Sequence, residues 1–212
     1  MFDDDAAHRK ANLADAATRT GRLVFTDSED TTTQFNRACD HVFALLRDAY
    51  TLFTTESFPT AVFLSITAIE KIAQLEIASH RRSEFTTPAK RRGEDHLYSH
   101  KSKHAIALQE VIVMGGRLPA AIGADRIRYL VDLAESGGLV DLREAALYTE
   151  NVSGSFLCPQ DRIDRTTARE ILLLALEVWD DRLVGYTRHT YALDGELIAM
   201  FDAVAAARSG EI

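Results

Sequence analysis

The stretch AVFLSITAIEKIAQ, residues 61–74, decides the fold. At a helical advance of about 100° per residue, Val62, Phe63, Leu64, Ile66, Ala68 and Ile69 point in every direction around the axis. A helix that is apolar all round is buried all round, which places it at the centre of a bundle. Pro59 suits the first turn of that helix, and the pattern continues to His80. Ser65, Thr67, Glu70, Lys71, Gln74 and Glu76 interrupt the run Ala61–Ile77, so it is a core helix and not a membrane span.

Outward from this helix the period stays helical. Thr31 to Thr33 offer N-caps for a helix to about Phe53, with Phe35, Val42, Leu45, Leu46, Tyr50 and Phe53 as its buried stripe. Residues 81–99 lack periodicity, contain Pro88 and Gly93, and read as a long basic loop. The helical pattern returns from His100 to about Met114 and again from Asp125 to Glu135, stopped by Gly115-Gly116 and Gly137-Gly138. Asp141 with Glu144, and Thr167 with Glu170, have capping-box spacing at the start of two further helices. The second of these buries Ile171, Leu172, Ala175, Leu176, Trp179 and Leu183, and a last helix spans about Ala192 to Arg208. Residues 1–30 are acidic, and read as a partly ordered N-terminal segment with one short helix near Ala11 to Thr20. The expected fold is all-α: an up-and-down helical bundle over residues 31–212, with extra short helices and a long basic loop.

Composition narrows the function classes. The apolar fraction of 46% is too high for a disordered chain, and a formal charge of −8 argues against coating nucleic acid with the whole surface. Cys39 and Cys158 stand far apart, which excludes a disulfide scaffold and a Cys-rich zinc module. With an acidic Met1–Asp5 where a secretory signal would be basic, these features lead us to expect a cytoplasmic protein without a membrane segment.

One window departs from the acidic balance. Between His80 and His104, Arg81, Arg82, Lys90, Arg91, Arg92, Lys101 and Lys103 face only Glu84, Glu94 and Asp95, an excess of +4. Four of the seven histidines lie there: His80, His96, His100 and His104. Such a loop can grip phosphates and supply proton-transfer groups near neutral pH, or simply be solvated. His96, His100 and His104 have a spacing that would align them on one helical face as metal ligands. Gly93 argues against helix at His96, and Lys101 and Lys103 would oppose a cation, so neither a metal nor another cofactor is expected. Glu70, on the most apolar helix, must be paired: either with a structural arginine or with an active-site cation or base that it orients. Arg143 and Tyr148 stand five residues apart, about 140° around a helix, and could still converge on one ligand.

Three segments together resemble the AbiV-type abortive-infection proteins, a branch of the HEPN superfamily of all-α bundles. Residues 61–74 are similar to that family's apolar helix ending in Glu-Glu-x-Gly-Lys, with Glu70 at the first Glu, Lys71 at the second and Gln74 at the Lys. His100-Lys101-Ser102-Lys103 is similar to its His-Lys-x-Lys, and Arg143 to Tyr148 to its Arg-Glu-x-x-Leu-Tyr. The resemblance implies a HEPN-like domain over residues 31–212, a homodimer, and metal-independent RNA cleavage by an Arg–His pair. Tyr148 stands where that His would be, so His100 is the expected replacement. Arg91 and His96 satisfy the same spacing within the loop, a match we take as coincidence. On this reading Arg143, Tyr148 and His100 are catalytic, Lys101, Lys103, Arg91 and Arg92 bind RNA phosphates, and Glu70 orients. The expected function is an antiphage defence protein that binds RNA, or a phage or host protein, through a basic cleft and cleaves RNA if catalytic. The alternative is an inactive protein-interaction module.

Overall fold

A computed structural model describes residues 13–25, 30–81, 83–108 and 116–207. Helices dominate: α1 (residues 13–19), α2 (Thr31–Thr54), α3 (Phe58–His80), α4 (His100–Ala107), α5 (Arg117–Ile122), α6 (Ala124–Ser136), α7 (Gly138–Ala145), α8 (Pro159–Arg162), α9 (Arg165–Leu183) and α10 (Arg188–Ala206). The fold is all-α, and among the described residues its β structure is one hairpin, β1 (Glu150–Val152) and β2 (Ser155–Leu157), and an isolated bridge between Thr20 and Thr87.

The core forms around α3, as its all-round apolarity requires. Ala61, Val62, Ile66, Ala68, Ile69, Ile72 and Ala73 are all fully buried. Helix α3 packs most extensively on α2 and α9, and α4 and α7 close over its C-terminal half. Trp179 of α9 is fully buried in the same core. Arg117 lies over the Phe201 ring at 4.2 Å and pairs with Glu177 at 2.5 Å, tying α5 to α9 and α10. Among the described residues, no helix is long and apolar enough to cross a membrane.

The loop from 81 to 99 is held by a buried ion pair. Arg81 Nη2 donates to Asp95 Oδ1 at 2.7 Å, and the same guanidinium donates to the carbonyls of Ala17, Thr20 and Arg22. Asp95 also accepts from the backbone of Arg22 and Leu97. Residues 13–25 are thereby strapped across the loop, with Ala17, Ile77, Leu97 and Ile106 forming a small apolar cluster beneath. Gly21 has φ +139°, and a Cβ there would collide with the Arg81 guanidinium and the Asp95 carboxyl, so only glycine fits. Two single turns, Arg92–Glu94 and His96–Tyr98, lie in the stretch expected to be plain loop. They are too short to show an apolar period.

Several boundaries differ for local reasons. Helix α7 begins at Gly138, ahead of Asp141, because left-handed Gly137 (φ +99°) ends α6 and starts α7 at once. Helix α9 is capped by Asp164, whose side chain accepts from the Thr167 N–H, and not by Thr167. The hairpin turns at Ser153 and Gly154, both with positive φ, a two-residue connection matched to strand twist. The expected continuation of α4 to Met114, the acidic residues Asp3 to Asp5, Asp27 and Glu29, and Arg82 lie outside the described residues.

Candidate active site

Glu70 is 4% exposed and lies just past the middle of α3. Opposite it, α4 begins at Ser99, whose hydroxyl accepts from the Ser102 N–H. That register places His100, Lys103 and His104 on one face, at i, i+3 and i+4. Helix α7 delivers Arg143 from a third side.

All of them converge on the Glu70 carboxylate. His100 Nδ1 is 2.7 Å and Lys103 Nζ 3.3 Å from Oε2, while Arg143 Nη1 is 2.9 Å and His104 Nε2 3.1 Å from Oε1. Each oxygen has two partners, so the acceptor capacity of the carboxylate is filled. Burial pushes the Glu70 carboxyl up, but the His104 hydrogen bond, the Lys103 and His104 charges and the His100 hydrogen bond outweigh it and hold it down at about 2. Glu70 is therefore ionised. Burial draws the Lys103 ammonium below the usual lysine range, and the Glu70 charge works against that.

An ionised acceptor fixes the His100 tautomer. For a 2.7 Å contact with a carboxylate, Nδ1 must carry the proton. The 3.2 Å approach of Arg143 Nη1 to the same nitrogen is then a shared position on Glu70 and not a hydrogen bond between them. Nε2 of neutral His100 is left with its lone pair, on a side chain that is 42% exposed. This is the arrangement of a base oriented by a carboxylate. His104 differs. It is fully buried, and among the described residues its Nδ1 has no hydrogen-bond partner while its Nε2 meets Glu70.

The other expected residues are placed as follows. Arg143, His100 and Glu70 come together. Lys103 faces inward at 6% exposure with its ammonium on Glu70, where a phosphate-binding lysine would face solvent. Its neighbour Lys101 is exposed, as are Arg91 and Arg92 in the loop, and Arg92 rests on the Tyr98 ring at 4.4 Å. The Tyr148 ring is 62% exposed beyond the end of α7, and no hydrogen bond joins it to the Glu70 cluster among the described residues. His96 sits before α4 and contacts the Ser102 hydroxyl at 3.1 Å, so it does not converge with His100 and His104. Among the described residues no group of three or more His, Cys, Asp or Glu is arranged to hold a metal. His104 is the site residue that sequence reading missed as a partner of Glu70. Its signal was the i, i+4 spacing from His100 on a short helix facing a buried acid.

No curated protein and no solved structure matches the chain. The HEPN_AbiV family model, described as AbiV, matches residues 31–180, which include α3, α4 and α7 and hence all five side chains of the cluster. With more than half of its length matched, the chain belongs to the AbiV family of abortive-infection HEPN proteins.

Proposed function

We propose that this AbiV-family chain is an RNA-cleaving effector of abortive infection, working in the cytoplasm as a homodimer without a metal. The observation that carries the reading is the meeting of His100 and Arg143 on one buried carboxylate, at 2.7 and 2.9 Å. His100 Nε2 takes the proton from a ribose 2′-hydroxyl, and the 2′-oxygen attacks the adjacent phosphorus. Arg143 uses one amino group on Glu70, and its remaining N–H groups stabilise the charge that develops on the phosphate oxygens. The bond to the 5′-oxygen breaks, leaving a 2′,3′-cyclic phosphate. Tyr148 gives that oxygen its proton, a phenol being a poor base but an adequate acid towards an alkoxide. Lys101, Arg91 and Arg92 hold the flanking phosphates. Lys103 and His104 support the site from inside by fixing Glu70.

A second reading rests on a different observation. Leu147, Tyr148, Val152 and Phe156 are all largely exposed apolar side chains around the hairpin, a surface suited to a phage or host protein. In that reading the basic groove binds without cleaving.

The test is incubation of RNA with the purified chain in EDTA, with end analysis and with His100→Ala as control. Cleavage with 2′,3′-cyclic ends, lowered about 10²–10⁴-fold by the substitution, is expected. Intact RNA at excess protein, together with unchanged toxicity of a His100→Ala/Arg143→Ala variant in cells, would leave only the binding reading.

A further inference from the structure

A small cavity lies one helical turn along α3 from Glu70 and takes no part in the chemistry above. It measures about 230 Å³ and is lined by Arg22, Leu23, Val24, Gln74, Leu97 and Tyr98. Two of these residues tie it to the site. Gln74 follows Glu70 by four residues on α3, so the two side chains lie one above the other on the same helix face. Tyr98 precedes His100 by two residues, separated from it only by the α4 cap Ser99.

We propose that this cavity is a nucleobase subsite, holding one base of the RNA next to the scissile phosphate. The inference rests on the RNA reading of the site. The volume is below the ~300–1,000 Å³ of pockets that enclose a whole drug-sized ligand, which suits a base and leaves sugar and phosphate outside. Tyr98 offers an aromatic ring that is 42% exposed, and Leu23, Val24 and Leu97 supply apolar walls. The Gln74 amide, half-buried, brings two N–H donors and an oxygen that accepts from Lys71 Nζ at 3.4 Å and keeps a second lone pair, so it still offers the donor and acceptor that read adenine through its N7 and N6–H. Exposed Arg22 lies at the rim, and Arg92 on the Tyr98 ring brings a second cation to the edge.

The pocket is also preformed. The backbone N–H of Arg22 is held by Asp95 and its carbonyl by Arg81, so the wall from 22 to 24 is fixed by the buried ion pair. Gln74 stands where the family pattern has lysine. A lysine there would add a charge for phosphate, whereas glutamine replaces charge with a hydrogen-bonding edge.

The experiment measures binding of the full chain to 2′-O-methyl homo-oligonucleotides of A, C, G and U by fluorescence anisotropy. These probes cannot be cleaved, so the result is independent of activity. The wild-type chain should prefer oligo-A. Tyr98→Ala should weaken oligo-A binding about tenfold and Tyr98→Phe should restore it. Gln74→Leu should erase the base preference, and Gln74→Lys should erase it while making binding steeper in salt. Any base preference abolished by Gln74→Leu, in a variant whose circular dichroism and melting match the wild type, upholds the subsite. Equal binding of all four probes, or a preference unmoved by both Gln74→Leu and Tyr98→Ala, overturns it while leaving the cleavage reading intact. No binding to any probe overturns both.

Discussion

Replacing Glu70 by Gln is the most informative single perturbation, because glutamine is the neutral, shape-matched stand-in for the protonated acid. The Glu70 carboxyl is held at about 2 against an ordinary 4.5. That gap of roughly 2.5 pKa units, at about 1.36 kcal/mol each, makes the charge worth on the order of 3 kcal/mol to the folded state at neutral pH. The sign follows from the direction of the shift. A carboxyl depressed by folding stabilises the native state above its unfolded pKa, and that contribution is lost as pH falls from about 4.5 towards 2. At pH 3.5 about 2 kcal/mol of it remains.

The variant leaves Lys103 and Arg143 facing an amide. Lys103, already drawn down by burial, then loses the charge that keeps it protonated and sheds its proton more readily, which limits the penalty of an unpaired buried cation. Urea unfolding of wild type and Glu70→Gln from pH 7 to 3.5 checks this. The expected stability difference is about 3 kcal/mol at pH 7, narrowing by about 1 kcal/mol at pH 3.5. A difference below about 1 kcal/mol at pH 7, or one that does not change with pH, would refute the reading of Glu70 as an ionised hub.

Other outcomes follow from the same geometry. Gly21→Ala drives a methyl group into the Arg81–Asp95 pair, which should cost on the order of 3 kcal/mol and lower Tm by roughly 6–12 °C in a thermal melt; an unchanged Tm would mean the strap is not anchored as described. Burial, with a smaller push from Asp40, raises the Cys39 thiol to about 12, so a thiol reagent at pH 8 should titrate only half-buried Cys158 in the native chain and both cysteines in denaturant. In a salt titration of RNA binding, Lys101→Ala should reduce the slope of log K against log salt by about 0.7, while Lys103→Ala should leave the slope alone, since its ammonium faces Glu70 and not solvent. Equal effects of the two lysines would contradict that placement.

What the sequence disclosed, and what it hid, divides along chain separation. The all-round apolarity of residues 61–74 could be satisfied only by burial on every side, so the central place of α3 was legible from a single window. The need for a partner at Glu70 was legible for the same reason. Which partners it has was not, because His100, Lys103, His104 and Arg143 lie 30 to 73 residues away and meet it through the packing of α4 and α7. The hairpin was signalled only by the Ser153-Gly154 pair, since three-residue strands carry almost no alternation.

Charge shows the division most clearly. The window from His80 to His104 reads as a uniform basic surface when its residues are counted. In the folded chain Arg81 turns inward to Asp95 and Lys103 turns inward to Glu70, while Lys90, Arg91, Arg92 and Lys101 stay exposed. One local composition therefore serves two physical ends. The buried cations act at short range in a low-dielectric interior, where they fix a pocket wall and a carboxylate. The exposed cations act through solvent, where salt screens them and a phosphate chain can replace their counterions. A net charge cannot separate these, because it sums over residues whose surroundings are set only by tertiary contacts. The acidic total of −8 and a local exposed basic surface are then compatible: the interior cations are neutralised one by one, while the exterior ones stay in solvent on the segment that leads into and opens the helix carrying His100, itself 42% exposed.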